Sequence, residues 1–333
     1  MVEIGSITRF IGTVVLAASL VATGVGAALA QVWQPARAVE IIVGTSAGGG
    51  QDTSARFVQK LIQEHKLVAV PMAVVNKPGA GSSIGYTYLS QQVGNGHHLM
   101  LLTVPLLTNY IMGVSSVSYA DLTPISVLFD DYVAVTVKPD SPIKSGRDLM
   151  DRIRKDPSSV SVGIPSITGG GGLAILLAAK AMGVDPRLVK TVVFKSGGDS
   201  MTALLGGHID VVSSTTPNVL GQLQAGKIRV IAITSATRLS GPLAGVATWK
   251  EQGVNIEFNA SQGAIGPKGL AAPQLAFWEN AFLRLSQSDE WKKELEASNW
   301  QSNYRNSQDT ARYYEREYAE MKAVLGELGM VRQ

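Results

Sequence analysis

The stretch VEIIVGTSAGGGQDTSARFVQKLI, residues 39–62, decides the fold class. It opens with a β-branched run that is typical of a strand and continues through a glycine-rich turn. It ends in a pattern that places Ala55, Val58, Leu61 and Ile62 on one face of a helix. A strand joined by a tight turn to a helix is the repeating unit of α/β proteins.

The same unit recurs along the chain. Strand-like runs at 73–75, 98–104, 159–163, 192–194, 209–212 and 228–234 alternate with turns rich in Gly, Ser and Thr and with helical patterns. This alternation predicts an α/β fold with mixed, mostly parallel sheets. Near the C-terminus, Ala311, Tyr314, Tyr318 and Met321 recur at helical spacing, which predicts an amphipathic helix that packs on the body.

The composition excludes several classes of protein. The 333 residues include no cysteine, 45% are hydrophobic, and 29 basic against 26 acidic residues leave a net charge of only +3. A disordered chain, a disulfide framework and a thiol nucleophile are therefore excluded. The sequence contains no block of basic residues of the kind that indicates nucleic-acid binding. It also contains no cluster of His, Asp and Glu with the spacing of metal ligands. We expect neither a metal nor a cofactor.

The first thirty residues have the pattern of an export signal. Arg9 precedes an uncharged apolar run at 11–25, and Ala28-Leu29-Ala30 forms an A-x-A cleavage site. A single membrane anchor over 11–30 is the alternative, but four Gly or Ser residues interrupt that run. We therefore predict a signal peptide at 1–30, cleaved after Ala30.

The 35 glycines concentrate at strand-to-helix turns, where open α/β sheets bind ligands. Glycine lets the backbone approach a ligand closely, and a helix N-terminus offers unpaired N–H groups with partial positive charge. Such turns predict anion-binding sites that are built from uncharged backbone N–H and hydroxyl groups. For any single turn, a simple helix cap is the alternative. Asp52 is likewise interpreted either as the N-cap of the following helix or as a ligand contact.

A serine hydrolase is a second interpretation. Residues 44–48 read G-x-S-x-G, the pattern of a nucleophile elbow, and would make Ser46 the nucleophile. The elbow requires an acid and then a histidine later in the chain. None of His65, His97, His98 and His208 stands in a suitable context. We therefore expect no enzyme, and a secreted serine hydrolase stays the alternative.

Five segments together resemble a known family. They are VGTSAGGGQDTSAR at 43–56, NKPGAGSSIG at 76–85, FKSGGDSMTALLGGHIDV at 194–211, AGKIRVIAITSATR at 225–238 and GAIGPKGLAAP at 263–273. In order and spacing they resemble the substrate-binding proteins of tripartite tricarboxylate transporters, the Bug-type periplasmic receptors. The resemblance covers the whole chain after residue 30.

The resemblance implies a two-lobed periplasmic-binding-protein fold of the Venus-flytrap, type II-like kind. One lobe would comprise residues 31–131 plus 258–333 and the other residues 132–257, with chain crossings near 131–135 and 259–266. It also implies a cleft that binds a small carboxylate. Carried over by position, the ligand-binding residues are Thr45, Ser46, Ala47, Gly48, Asp52, Ser82, Ser83, Thr103, Ser166, Thr168, Gly169, Gly170, Ser196, Gly197 and Thr215.

The chain departs from the family pattern at three places. Gly44-Thr45-Ser46 stands where the family often has Pro-Phe-Ala, and Gly169 and Gly172 stand where Ser and His are common. Ser261 takes the place of a frequent aromatic residue. These departures predict a roomier, more hydroxyl-lined pocket.

The predicted function is that of an exported, periplasmic, monomeric receptor. It would capture a mono-, di- or tricarboxylate between two lobes and deliver it to the permease subunits of a secondary transporter. A binding module that serves a sensor system is a further alternative, and sequence reasoning leaves the ligand's identity open.

Overall fold

The computed structural model describes residues 33–332, so the predicted signal peptide and its cleavage site lie outside the described residues. The elements alternate along the chain as the sequence predicts. They are β1 (Val39–Val43), α1 (Gly50–Glu64), β2 (Met72–Asn76), α2 (Ser83–Ser90), β3 (His98–Leu102), α3 (Pro105–Ile111), β4 (Leu122–Val137), α4 (Gly146–Lys155), β5 (Val162–Ile164), α5 (Gly170–Ala181), β6 (Thr191–Val193), α6 (Gly197–Leu205), β7 (Val211–Thr215), α7 (Leu220–Gln224), β8 (Arg229–Ile233), β9 (Asn259–Pro267), α8 (Ala272–Gln287), α9 (Asp289–Ser298), β10 (Gln301–Arg305) and α10 (Ser307–Glu327).

The strands form two sheets that share β4. In the first sheet the order is β2-β1-β3-β9-β4, and β10 also pairs with β4. In the second the order is β4-β7-β5-β6, and β8 also pairs with β4. The pairs of β1 with β2 and β3, and of β5 with β6 and β7, are parallel, whereas β4 and β9 pair antiparallel with their neighbours. The predicted α/β fold class is confirmed.

Strand β4 passes from one sheet to the other in the middle of its length. Its part up to Tyr132 pairs with β9, and its part from Val133 onward pairs with β7 and β8. Almost every residue of β4 is buried, including Asp130 and Asp131 near the middle of the strand. The division into two lobes stays a prediction, since the chain from Gln34 onward groups as one compact unit.

Separate apolar clusters stabilise the two sheets. Ile42, Met100 and Tyr313 belong to the cluster that packs on the first sheet, and Val135 and Trp249 belong to the one on the second. A third cluster joins α5 to the end of the chain, because Leu173 and Leu176 pack with Leu325 and Leu328. Helix α10 thus buries one face against the body, and the predicted amphipathic helix is confirmed.

Two details differ from the sequence prediction. Strand β7 begins at Val211, two residues later than the apolar run suggests, because Asp210 bonds to Ser161 instead of joining the ladder. Helix α1 begins at Gly50 with Gly49 as its N-cap, so Asp52 lies in the first turn and is not the N-cap.

In the part of the chain that the structure describes, none of the helices combines the length and the apolar character that a bilayer crossing requires.

Candidate functional site

A cavity of about 370 Å³ lies at the strand ends of both sheets. This volume falls in the usual range for sites of small organic molecules. Its walls come from the turns that follow β1, β3, β5, β6 and β7, from the loop before α2, and from strand β9. The bordering residues are Gly44, Thr45, Gly50, Gln51, Gly79, Ala80, Gly81, Ser82, Thr103, Val104, Pro105, Pro165, Ser166, Gly169, Gly170, Val193, Phe194, Lys195, Gly197, Ser214, Thr215, Asn218, Ala260 and Gln262.

Two long helices point their N-termini at this cavity. Gly50 of α1 and Gly170 of α5 border it, and in neither helix does a side chain cap the first turn. The first N–H groups of a helix have no partner within the helix, and the dipole adds partial positive charge there. Helix α6 also reaches the cavity with Gly197, but there Ser196 accepts the N–H of Asp199. The site therefore offers backbone donors to an anion.

The loop before α2 has an unusual backbone. Four consecutive residues have positive φ, namely Gly79 at 132°, Ala80 at 45°, Gly81 at 59° and Ser82 at 78°. Positive φ costs an L-residue roughly 1–2 kcal/mol, so the surroundings must hold Ala80 and Ser82 in place. Asn109 does so in part, because its Nδ2 donates to the carbonyl of Gly81 over 2.7 Å. A strained loop at a cavity is typical of a binding site.

Contacts join the two walls of the cavity. Thr108 of α3 donates its hydroxyl to the carbonyl of Thr168 over 2.6 Å, and the N–H of Ser46 donates to the carbonyl of Lys195 over 3.5 Å. Away from the cavity, Lys180 of α5 forms an ion pair with Glu327 of α10. These contacts connect segments that the sequence analysis assigns to opposite lobes.

Charge is nearly absent from the walls. Among the described residues that border the cavity, Lys195 is the one charged side chain, and it is exposed. Apolar contacts come from Val104, Pro105, Pro165 and Phe194. Thr45 places a buried hydroxyl there that has no partner in the described structure. The arrangement suits a molecule with an anionic end and an apolar body.

Eight predicted site residues border the cavity. They are Thr45, Ser82, Thr103, Ser166, Gly169, Gly170, Gly197 and Thr215. The family resemblance implies these residues, and in the structure each of them ends or follows a strand or stands at the start of a helix. Their contact with a ligand stays a prediction.

The other seven, Ser46, Ala47, Gly48, Asp52, Ser83, Thr168 and Ser196, do not border the cavity. Ala47 and Gly48 are exposed, whereas Ser83 accepts from Asn109 over 2.9 Å. Thr168 bonds to the hydroxyl of Ser166 over 2.8 Å. Most of these polar residues therefore support the loops.

Asp52 organises the turn before α1. Its carboxylate accepts from the N–H of Gly48 over 2.9 Å, from Asn76 over 2.9 Å and from Arg56 over 2.9 Å. Burial opposes the charged form, but hydrogen bonds from Arg56, Gly48 and Asn76 outweigh it and hold the pKa of Asp52 below its usual value. Asp52 is therefore not the N-cap and does not border the cavity; its carboxylate instead holds the turn before α1 in place.

Sequence reasoning missed several bordering side chains. Gln51 bonds to the N–H of Gly44 and to the carbonyl of Leu101, and so joins β1 to β3 at the cavity. Asn218 bonds to Ser214 over 2.8 Å. Gln262 lies on β9, on the face shared with Ala260, whereas Ser261 points to the other face and bonds to Asp130 and Tyr313. The predicted effect of Ser261 on the pocket is therefore wrong, and strand alternation could have revealed it.

The histidines do not belong to the candidate site. Within residues 33–332 none of the four borders the cavity, and His65, His97 and His98 contact Glu290, Asn95 and Glu40 instead. The same part of the chain holds no group of three or more His, Asp or Glu placed to bind a metal ion.

Residues 55–330 match the family model described as tripartite tricarboxylate transporter family receptor, and the chain belongs to this family. The predicted family membership is confirmed. The chain is 27% identical to protein BugT of Bordetella pertussis over 253 residues, which cover 74% of this chain and 75% of BugT.

Two solved structures share the fold. Rpa4515 of R. palustris, determined with adipate, has a TM-score of 0.82 at 24% identity and covers 89% of this chain and 99% of its own. MatC from Rhodopseudomonas palustris, determined with bound malate, has a TM-score of 0.79 at 21% identity and covers 87% of this chain and 99% of its own.

Proposed function

We propose that this chain is an exported periplasmic receptor that captures a small organic carboxylate in the cavity and delivers it to the permease subunits of a tripartite tricarboxylate-type transporter. One observation carries the proposal. The N-termini of two helices, at Gly50 and Gly170, border the same cavity, and neither has a side-chain cap. Among the described residues, no acidic side chain borders this cavity.

The proposal assigns each wall a task. The first turns of α1 and α5 donate N–H groups to the carboxylate, and the hydroxyl of Thr45 adds a further donor. The apolar walls receive the carbon skeleton. Family membership and the carboxylates named for Rpa4515 and MatC support this ligand class.

The proposal also includes closure. The cavity is bordered from both predicted lobes, residues 31–131 plus 258–333 and residues 132–257, so a ligand contacts both at once. Such a ligand favours the closed arrangement by the free energy of the contacts that exist only there.

Isothermal titration calorimetry and thermal shift against mono-, di- and tricarboxylates test the proposal. At a hundredfold excess over Kd, binding to the native state stabilises it by about 2.7 kcal/mol. Neutral sugars serve as the control class. Failure of every carboxylate to bind, or equal binding of sugars, contradicts the proposal. Delivery is tested separately, by measuring uptake of the identified ligand in cells with and without the receptor.

A further inference from the structure

The turn after β1 and the first turn of α6 meet through backbone atoms outside the cavity. The N–H of Ser46 donates to the carbonyl of Lys195, and a Cβ on Gly198 would lie 3.1 Å from the carbonyl oxygen of Gly48. Neither Gly48 nor Gly198 borders the cavity. A separation of 3.1 Å is tighter than most real Cβ contacts, so a methyl group at Gly198 requires the two turns to separate slightly.

Two further glycines leave room for the opposite side of the cavity in the same way. A Cβ on Gly49 would lie 2.9 Å from Cβ of Ser196, and a Cβ on Gly81 would lie 2.9 Å from the hydroxyl oxygens of Ser166 and Thr168. Glycine is the residue that permits such a close approach. In each case the obstructing atom belongs to a segment that the sequence analysis assigns to the other lobe. The two predicted lobes therefore touch at positions that lack a side chain.

We propose that Gly198 determines ligand affinity from outside the cavity, because the absence of its side chain allows α6 to close against the turn after β1. A side chain at this position would oppose closure and so weaken binding, although it would not border the cavity. This inference rests on the proposed function and adds to it a residue that controls closure. Because the ligand stabilises the closed arrangement only by the contacts that exist there, any cost of closing is subtracted from the free energy of binding.

Gly198 separates closure from folding more cleanly than the other two glycines do. It lies in the first turn of α6 and its backbone does not have a positive φ, so an L-residue fits its conformation. Gly81 has a φ of 59°, and a Cβ on Gly49 would also lie 3.3 Å from the carbonyl oxygen of Ser46 in its own turn. Substitution of either residue would therefore disturb its own loop. At Gly198 the one close contact is with the opposite turn.

The turn that faces Gly198 is held in place by side chains. The N–H of Gly48 donates to the carboxylate of Asp52 over 2.9 Å. Asn76 donates to the same carboxylate over 2.9 Å and to the carbonyl of Thr45 over 3.0 Å. We therefore expect a methyl group at Gly198 to be relieved by separation of the two segments and not by movement of Gly48 within its turn.

Calorimetry of Gly198→Ala tests the proposal. The probes are succinate, L-malate, adipate and citrate, and each acid that binds the parent is titrated into the variants. We expect Kd to rise about 5- to 150-fold, the range that overpacking of a close contact gives. The melting temperature without ligand should stay the same or rise slightly, because alanine favours a helix more than glycine does. Gly198→Val, with a larger side chain, should weaken binding at least as much.

Gly221→Ala is the matched control. Gly221 is the second residue of α7, as Gly198 is of α6, and a Cβ there would meet nothing within 4 Å. This variant should bind each acid within about twofold of the parent. A second readout distinguishes closure from a change in the cavity. Because the cost of closing does not depend on which acid is bound, Gly198→Ala should raise Kd by the same factor for every acid that binds.

The outcomes separate this inference from the proposed function. If a carboxylate binds Gly198→Ala within about twofold of the parent, the inference is overturned while the receptor function stands. Factors that differ about tenfold between acids, or an equal loss of binding in Gly221→Ala, also overturn it. So does a melting temperature of Gly198→Ala that falls by several degrees without ligand, because the contact would then belong to the fold itself. If no carboxylate binds the parent, the proposed function fails, and this inference fails with it.

Discussion

Gly169→Val should weaken ligand binding strongly and leave the fold intact. Gly169 is the N-cap of α5, with φ −90° and ψ 174°, an extended conformation that β-branched residues adopt readily. A Cβ there would lie 3.4 Å from Cβ of Ser166 and 3.7 Å from Cγ of Pro105, which are ordinary contacts. We therefore expect the unfolding free energy without ligand to change by no more than about 0.5 kcal/mol.

Binding should respond far more strongly. The two methyl groups of valine would stand at the N-terminus of α5, beside Gly170, whose N–H group the proposed function assigns to the ligand carboxylate. A hydrogen bond to a charged group contributes about 1.5–3 kcal/mol, so its loss should weaken Kd roughly 10- to 150-fold. Calorimetry with the tightest-binding carboxylate measures this change, and a thermal melt without ligand measures the stability.

Gly171→Ala is the matched control in the same helix. A Cβ there would lie 2.2 Å from the carbonyl oxygen of Ser213 on β7, so the backbone must move. Overpacking of this kind costs about 1–3 kcal/mol and should lower the melting temperature without ligand. If Gly169→Val binds within threefold of the parent, or loses as much stability as Gly171→Ala, then the N-terminus of α5 is not the binding group.

Three further predictions concern charge and chemistry. Lys195→Ala should weaken carboxylate binding at most about fivefold, because the side chain is exposed. Complete loss of carboxylate binding in a folded variant would instead mean that the charge of Lys195 dominates the site. Ser46 should not be labelled by a serine-directed phosphonate, and stoichiometric labelling would instead support a hydrolase. Burial raises the pKa of Asp131 to about 7, so between about pH 4 and pH 7 the folded state holds a proton that the unfolded state has lost. The free energy of unfolding of the parent should therefore fall, relative to Asp131→Asn, as the pH rises through that window; parallel melting curves from pH 5 to 8 would contradict this.

Local patterns were enough to locate much of the fold and one part of the site. Residues 39–62 read as strand, turn and helix because β-branched runs and helical spacing are local properties, and β1 and α1 form there. Glycine-rich turns at strand ends indicate where a ligand cleft lies, and the family resemblance then implies Thr45 and Gly170 as individual site residues. Asp52 was identified as important, but its position in the first turn depends on where α1 begins, and helix boundaries vary by a residue or two with context.

The partners of β4 and β9 were not predictable in this way. Both strands are nearly continuous buried runs, and such runs carry no period that tells which neighbour lies on either side. As a result, local patterns provide no reason to expect Gln262 at the cavity, or Asp131 beside it. These two residues lie 131 positions apart in the chain, and only the pairing of β4 with β9 brings their side chains together.

The α/β class, the glycine-rich turns and the absence of a charged binding motif can be read from the sequence alone, because each of these follows from residues close together in the chain. The folded chain is needed to show which turns share one cavity, which helix N-termini remain without a side-chain cap, and which polar atoms are left unpaired. Those properties depend on long-range strand pairing and on burial. A polar group becomes a specific binding group only when the fold removes it from water and leaves it one direction in which to bond.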